Sequence, residues 1–192
     1  MQGQAAVMTM SEAVTIDPIA ALITAGQHRE AVAECARSHR IVLGRLCIAL
    51  LGSQADADEA VQETLLRAHR AMATYRGEGS IKAWLCGIAR HVCAHALETR
   101  RKGRELLEIV PDAPEASDAR DAFEKRRSAR VIRDAMTKLK PSEREALVLR
   151  YVADLSHREI AEVIGLDEPT ARKRTSRALA RLRGVMPPDA ID

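Results

Sequence analysis

The chain has 192 residues, a length that allows one or two domains with modest cores. Apolar residues make up 46% of the sequence but aromatic residues only 2%, so the core must be aliphatic and alanine-rich, which favours packed helices over β-sheets. A net charge of +3 excludes a surface that binds polyanions everywhere, so the position of the charges matters more than their sum.

The cysteine pattern and the absence of long apolar stretches indicate where the protein works. Cys35, Cys47, Cys86 and Cys93 form no CxxC pair, which favours a reducing compartment. The amino terminus has no basic segment followed by an apolar run, so no signal peptide is predicted. The longest apolar stretch, 41–51, is too short to cross a bilayer. We therefore expect a soluble, cytoplasmic, all-α protein.

The first third of the chain reads as a tail followed by helices. Residues 1–16 show no clear period and are predicted to form a mobile tail. From Asp17 to Leu51 apolar residues recur at helical spacing, and Gly52 and Ser53 mark a break.

A further helix is predicted over 56–72, with small and apolar residues facing inward. Acidic residues in its first turn are explained by the helix dipole alone. That explanation does not account for the acidic and amide residues that continue along the outward face. These outward residues are Asp56, Asp58, Glu59, Gln62, Glu63 and Arg67.

Two glycines in three residues predict a loop over 75–80. Ser80 begins another helix, whose apolar stripe includes Trp84 and which ends in a basic cluster at 100–104. Because cations at a helix C-terminus are favoured by the dipole, that cluster alone indicates little.

Composition changes at 103–127, where prolines and acidic residues replace large apolar ones. This is typical of an extended, self-repelling linker. Helicity is predicted to resume near Asp118 and to run to Leu139, and a capping box of Ser142 with Glu145 is predicted to start the next helix. Tyr151 is predicted on the inner face of that helix. Residues 187–192 are predicted to be a short tail.

The segment 156–183, SHREIAEVIGLDEPTARKRTSRALARLR, predicts two short helices joined by a tight turn. Ser156 and Glu159 form a capping box, Gly165 ends the first helix, and Asp167 caps the second. The second helix has six basic residues between Pro169 and Met186 and no acidic one. A one-sided cationic helix after a glycine turn is the geometry of helix–turn–helix DNA recognition. The alternative is a solvated amphipathic helix whose arginines only confer solubility.

Four segments in this order resemble the extracytoplasmic-function group of bacterial RNA polymerase sigma factors. They are DPIAALITAGQHREAV (17–32), ADADEAVQETLLRA (55–68), YRGEGSIKAWLCGIARH (75–91) and LKPSEREALVLRYVADLSHREIAEVIGLDEPTARKRTSRALARLR (139–183). The resemblance implies two small helical domains, a sigma2-like bundle at 17–102 and a sigma4-like helix–turn–helix domain at 128–186. The acidic linker 103–127 would join them.

The resemblance also implies three binding surfaces. Core polymerase, with its β and β′ subunits, would be the partner, and the helix 56–72 would dock on the clamp helices of its largest subunit through the six outward residues named above. The loop and helix at 76–91 would bind the −10 promoter element through Arg76, Glu78, Ser80, Lys82, Trp84, Arg90 and His91. For Trp84 a core position is an equal alternative, and for Arg90 a phosphate contact is favoured over base reading.

The third surface would bind the −35 element in the major groove. Arg172, Lys173 and Ser176 point outward and are expected to contact bases. Arg158, Thr170, Arg174, Arg177 and Arg181 are expected to contact phosphates. In such a factor an anti-sigma protein would cover both the polymerase-binding and the DNA-binding faces and keep the factor inactive until a stress or environmental signal arrives.

Other site types have less support. Cys86, His91, Cys93 and His95 lie close along one helix, but their directions would not converge on a metal, so no metal or cofactor is predicted. No Gly-rich phosphate loop, GxSxG or supported Cys/His/Asp arrangement indicates an enzyme. The alternative function is a self-standing helix–turn–helix regulator that dimerises on a symmetric operator.

Overall fold

The computed structural model describes residues 17–106 and 131–186 of the chain. Within these ranges every regular element is helical, which confirms the predicted all-α class. The helices are α1 (Pro18–Thr24), α2 (His28–Leu51), α3 (Gln54–Ala71), α4 (Ile81–Leu106), α5 (residues 131–137), α6 (Pro141–Leu147), α7 (His157–Ile164) and α8 (Glu168–Val185). No helix in the described ranges is long and apolar enough to cross a bilayer. The predicted tails 1–16 and 187–192 lie outside the described residues.

Local sequence signals set the boundaries of the first three helices. The Asp17 carboxylate accepts a hydrogen bond from the Ile19 N–H at 2.8 Å and starts α1. Gly26 adopts a φ of 74°, which L side chains rarely do, and separates α1 from α2. The predicted break at Gly52 and Ser53 is confirmed, because Gly52 ends α2 in the left-handed conformation and the Ser53 hydroxyl accepts from the first turn of α3.

Helices α2, α3 and α4 form the core of the N-terminal half. Leu43, Leu46 and Leu85 are fully buried there, together with alanines that allow the helices to approach closely. Helix α4 runs to Leu106, so the first four residues of the predicted linker, 103–106, are helical. The rest of that linker lies outside the described residues.

The start of α6 differs from the sequence prediction. The expected capping box of Ser142 with Glu145 is wrong, because the helix begins at Pro141 and Lys140 is its N-cap. The Glu143 carboxylate accepts from the Lys140 N–H at 3.1 Å. Proline is tolerated at this first position because its missing N–H would have no intrahelical partner. Glu145 is thereby left to make a contact outside its own helix.

The end of α6 also departs from the prediction. Val148–Val152 form a π-helical turn that continues the helix. The wider turn changes which side chains face inward. Val148 and Leu149 are buried, whereas Tyr151, predicted on the inner face, is 59% exposed.

The helix–turn–helix of α7 and α8 follows the sequence prediction closely. Ser156 and Glu159 form the expected capping box at the start of α7, and Gly165 ends it with a φ of 68°. The Asp167 carboxylate accepts from the Thr170 N–H at 2.8 Å and starts α8. Ala171 and Ala178 are buried on the inner face of α8.

The two halves, α1–α4 and α5–α8, pack against each other. Val148, Leu149, Leu155 and Ile160 belong to the same hydrophobic cluster as the core of the N-terminal half. The sequence predicts two domains but gives no sign of this shared cluster. A smaller second cluster holds α8 against α6 through Leu147 and other residues. The outer face of α8 therefore remains available.

Candidate nucleic-acid and partner interfaces

The α3 face comprises the six residues predicted to bind polymerase: Asp56, Asp58, Glu59, Gln62, Glu63 and Arg67. All six lie on the solvent side of α3, because Ala57, Ala60 and Ala68 fill the opposite side. Asp58, Glu59 and Gln62 are exposed, and the other three are half-buried.

Ion pairs fix the edges of the α3 face. Asp56 pairs with Arg100 of α4 at 2.7 Å, and Glu63 pairs with Arg67 at 2.6 Å. The hydrogen bond from Arg67 lowers the pKa of Glu63. The centre of the face, around Asp58 and Glu59, therefore presents negative charge on a rigid helix.

The α4 face comprises the residues predicted to bind the −10 element: Arg76, Glu78, Ser80, Lys82, Trp84, Arg90 and His91. Arg76, Glu78 and His91 are exposed, and the other four are half-buried. Gly77 and Gly79 both adopt positive φ and shape the loop before α4. The face borders a cleft of about 790 Å³ between this loop, α4 and α7.

Trp84 lies between the hydrophobic cluster and this cleft. Its ring packs against Tyr75, with centroids 4.9 Å apart and a tilt of 53°. It is half-buried against the hydrophobic cluster, yet it also lines the cleft. Such a ring offers a stacking surface beside the glycine loop.

Three residues of the α4 face contact the C-terminal half. The Ser80 hydroxyl donates to the Glu159 carboxylate at 2.5 Å and accepts from the Ala83 N–H at 3.1 Å. The Lys82 ammonium donates to the Asp154 carbonyl at 2.7 Å. These contacts cover the start of α4 with the residues that precede and begin α7.

Arg90 makes the third contact between the halves. Its Nε donates to the Glu145 carboxylate at 2.6 Å, and both side chains are largely shielded from solvent. The favoured sequence interpretation made Arg90 a phosphate ligand. In this conformation the Arg90 guanidinium is instead occupied by the Glu145 carboxylate.

Glu145, Asp154 and Glu159 are the residues that sequence reasoning missed as partners of the α4 face. Their contacts join positions 55, 72 and 79 residues apart along the chain. Glu159 was identified as a helix cap, but no periodicity or motif pointed to Ser80. Long-range pairs of this kind leave no local signal.

The α8 face comprises the residues predicted to bind the −35 element: Arg158, Thr170, Arg172, Lys173, Arg174, Ser176, Arg177 and Arg181. The three expected base contacts, Arg172, Lys173 and Ser176, are all exposed. Of the expected phosphate contacts, Arg174 is half-buried and the other four are exposed.

Ion pairs on and beside α8 hold several of these arginines. Arg172 pairs with Glu168 at 2.6 Å, and Arg158 of α7 pairs with Glu162 at 3.3 Å. Arg181 pairs with Glu143 of α6 at 3.0 Å. The first two pairs are exposed and worth little individually, so a polyanion could replace their carboxylates, whereas the Glu143 side chain is largely shielded from solvent. The structure brings Arg172, Lys173 and Ser176 together around one shallow cavity, whereas Arg158 lines the cleft beside α4.

The cysteine and histidine residues of α4 do not form a joint site. Cys86 and Cys93 are buried, whereas His91 and His95 are exposed. Burial raises the pKa of Cys35 to about 11 and that of Cys86 to about 12, so these thiols remain protonated and unreactive. In the ranges 17–106 and 131–186 no group of three or more His, Cys, Asp or Glu could hold a metal ion.

Comparison with known families gives two matches along the chain. Residues 35–103 match the family described as Sigma-70 region 2, and residues 129–182 match Sigma-70, region 4. The first match contains the α3 and α4 faces, and the second contains the α8 face.

Curated relatives carry the same family name. The ECF RNA polymerase sigma factor SigC of Mycobacterium tuberculosis is 33% identical over 147 residues, which cover 75% of this chain and 77% of that protein. SigG of the same species is 32% identical over 165 residues, covering 73% of this chain and 45% of SigG. The chain thus spans about half the length of the first relatives it matches.

Two solved structures share the fold. CnrH in complex with the cytosolic domain of CnrY has a TM-score of 0.66 and 24% identity, covering 91% of this chain and 97% of that one. The sigma factor RpoE of Bartonella quintana, in complex with the anti-sigma factor NepR, has a TM-score of 0.57 and 25% identity. That match covers 79% of this chain and 96% of RpoE.

Proposed function

Because this chain belongs to the extracytoplasmic-function (ECF) sigma factors of bacterial RNA polymerase, we propose that it is a dissociable promoter-specificity subunit. It binds core polymerase and directs it to promoters with matching −10 and −35 elements. The observation that carries the proposal is that one chain presents both an acidic and amide face on α3 and an exposed cationic face on α8. RNA synthesis then belongs to the polymerase, and the chain contributes binding and selection.

The α3 face is the proposed docking surface for core polymerase. Asp58 and Glu59 are exposed on a helix that is anchored by a buried alanine stripe. Complementary charges across an interface speed association and fix its register. A basic surface of the polymerase therefore suits this face.

The α8 face is the proposed reader of the −35 element. Its N-terminal residues project from the helix–turn–helix in the manner of a recognition helix in the major groove. Arg172 and Lys173 can donate to guanine O6 and N7, and Ser176 can donate or accept. The surrounding arginines position the helix on phosphates.

The α4 face is the proposed −10 reader, and the described conformation keeps it covered. Ser80, Lys82 and Arg90 are occupied by the C-terminal half. Binding of the −10 element therefore requires the two halves to separate. We call the described arrangement the closed form, and the arrangement with separated halves the open form.

An anti-sigma factor is the proposed inhibitory partner. RpoE, which resembles this chain at 25% identity, was solved in complex with the anti-sigma factor NepR. A protein that bridges the two halves would stabilise the closed form, in which the C-terminal half already covers the α4 face. We propose that the chain acts in the cytoplasm, where polymerase and promoter DNA are found.

The test is promoter-dependent transcription with purified core polymerase. Run-off products should appear with the chain and core polymerase together, and with neither alone. Because like charges would face each other, Asp58→Lys combined with Glu59→Lys should abolish polymerase binding while leaving helicity unchanged. Glu30→Lys, an exposed charge reversal on α2, is the matched control and should retain binding.

Two outcomes would contradict the proposal. Failure to form any promoter-dependent product would exclude the proposed role as a promoter-specificity subunit. A stable dimer of the chain that protects a symmetric operator without polymerase would instead support the alternative, a self-standing helix–turn–helix regulator.

A further inference from the structure

Helix α8 begins with an acid inside the surface assigned to the −35 element. Glu168 is the first residue of the helix, and its side chain is 41% exposed. Glu168, Pro169, Arg172, Lys173 and Ser176 line one shallow cavity of about 610 Å³. Three of these five are the residues expected to contact bases. Glu168 supplies the negative charge of this lining.

Helix stability does not require an acid at this place. An acid in the first turn favours the helix dipole. However, Asp167 already caps α8 through its hydrogen bond with the Thr170 N–H. The pair of Glu168 with Arg172 is exposed and contributes little to folding. Both structural roles could be met without placing a carboxylate among the base-reading residues.

A carboxylate close to DNA is repelled by the phosphates unless a base offers it a donor. In the major groove the amino groups of cytosine and adenine are the donors. Adenine also presents its N7 acceptor beside the amino group, which repels a carboxylate. Cytosine N4 is therefore the favourable partner for Glu168.

We infer that Glu168 is a specificity-determining residue that reads a cytosine of the −35 element, beside a guanine read by Arg172. The inference rests on the proposed function, which places α8 in the major groove. The Glu168 Oε1 and Arg172 Nη2 atoms are 2.6 Å apart, so an acceptor and a donor are held side by side. This arrangement matches a cytosine amino group next to the O6 and N7 acceptors of guanine.

Substitution of Glu168 should change which base is preferred at one position of the −35 element and should not abolish binding. Glutamine in place of Glu168 can bond adenine N6 and N7 together, so Glu168→Gln should exchange the cytosine preference for adenine. Glu168→Ala should leave that position unspecified. In both variants the guanine preference assigned to Arg172 should persist.

The experiment is selection from promoter duplexes randomised across the −35 element, bound by the full chain assembled with core polymerase. The bound fraction is sequenced for wild type, Glu168→Gln and Glu168→Ala. We expect a loss of about fivefold or more in cytosine enrichment at one position. The matched control is Glu98→Gln, which removes a similar i,i+4 pair with Lys102 on α4 and should select like wild type.

Each other outcome has a separate meaning. Equal weakening of all sequences by Glu168→Gln would show a purely structural role and would overturn the inference. Unchanged selection by Glu168→Ala would overturn it as well. A wild-type chain that enriches no sequence would contradict the proposed function itself.

Discussion

The α4 and α8 faces carry similar polar and basic residues but differ in their availability. On α8, the Arg172 side chain is 63% exposed, and Lys173 and Ser176 face solvent. On α4, the Arg90 side chain is 26% exposed and is paired with Glu145. One proposed DNA surface is therefore ready to bind, and the other is held by the chain itself.

This difference shows that the residue types of a face do not determine whether that face is exposed or covered by the rest of the chain. The C-terminal half supplies carboxylate and carbonyl oxygens to Ser80, Lys82 and Arg90. Those oxygens act on the α4 face as phosphate oxygens would. Under the proposed function the closed form therefore competes directly with the −10 element, whereas Lys173 and Ser176 on the outer face of α8 are exposed to solvent.

The largest effects should come from the exposed α8 face. Because Arg172 and Lys173 are expected to donate to bases, replacing either with alanine should cost about 1–3 kcal/mol at particular −35 bases. Arg181→Ala should instead weaken all sequences alike and reduce the salt dependence of binding. Binding to duplexes with single base changes, at several salt concentrations, measures both. If each variant merely unfolds in a thermal melt, the solvated-helix interpretation of α8 is favoured.

A smaller effect should come from opening the covered α4 face. Glu145→Gln removes the carboxylate without changing the α4 face. Since a hydrogen bond to a charged group contributes about 1 kcal/mol or more, binding of −10 single strands should rise about fivefold. Arg90→Ala opens the same contact but also removes the proposed phosphate ligand, so it should show no such gain. The measurement is affinity of the free chain for the −10 strand.

Equal gains from these two variants would show that Arg90 contributes nothing to the −10 element. An unchanged affinity in Glu145→Gln would show that the closed form does not compete with DNA.

Acid should weaken the closed form to a lesser degree. Burial raises the pKa of Glu159, but hydrogen bonds from Ser80 and Ser156 outweigh this and leave the pKa below its ordinary value of 4.5. The contact is therefore fully present above about pH 4.5 and is lost as pH falls through the lowered pKa. The distance between the halves, followed from neutral to acid pH, should increase in wild type.

Ser80→Ala is the comparison for this pH effect, because it removes the donor to Glu159 and keeps the Ser156 cap of α7. Its opening should depend less on pH over the same range. An identical pH profile would assign the effect to other carboxylates.

The smallest effect concerns the glycine loop. A Cβ at Gly79 would lie 2.5 Å from the Glu162 Oε2, whereas a Cβ at Gly77 would meet nothing within 4 Å. Both residues have similar positive φ, so Gly77→Ala is a matched control for backbone strain. Gly79→Ala should increase the distance between the halves more than Gly77→Ala, because the added Cβ displaces Glu162. The increase should be slight, because the Glu162 side chain can swing aside. Equal distances in the two variants would show that the loop and α7 do not touch in solution.

The sequence predicted those parts of the structure that depend on neighbouring residues. The Ser156 cap, the Gly165 turn and the Asp167 cap are confirmed because each involves atoms within a few positions. The prediction that Tyr151 lies on the inner face was wrong, because a π-helical turn changes the periodicity that the prediction assumed.

The closed form could not be predicted, because its contacts join distant positions. Arg90 was predicted to contact a phosphate of the −10 element, whereas in the closed form it pairs with Glu145, a partner that depends on how the two halves pack. The exposed state of Arg172 and Lys173 followed from helical spacing. The chemistry of each face could therefore be predicted from the sequence, but the residues that contact the α4 face in the closed form could not.

The most direct test of the closed form is the distance between spin labels at Ala94→Cys and Ser142→Cys. Both positions are exposed, about one helical turn from Arg90 and Glu145 respectively, and the four native thiols are buried. The closed form should give one short, narrow distance in the free chain, and assembly with core polymerase and promoter DNA should give a longer one. A broad distribution in the free chain, or the same short distance in the promoter complex, would contradict it.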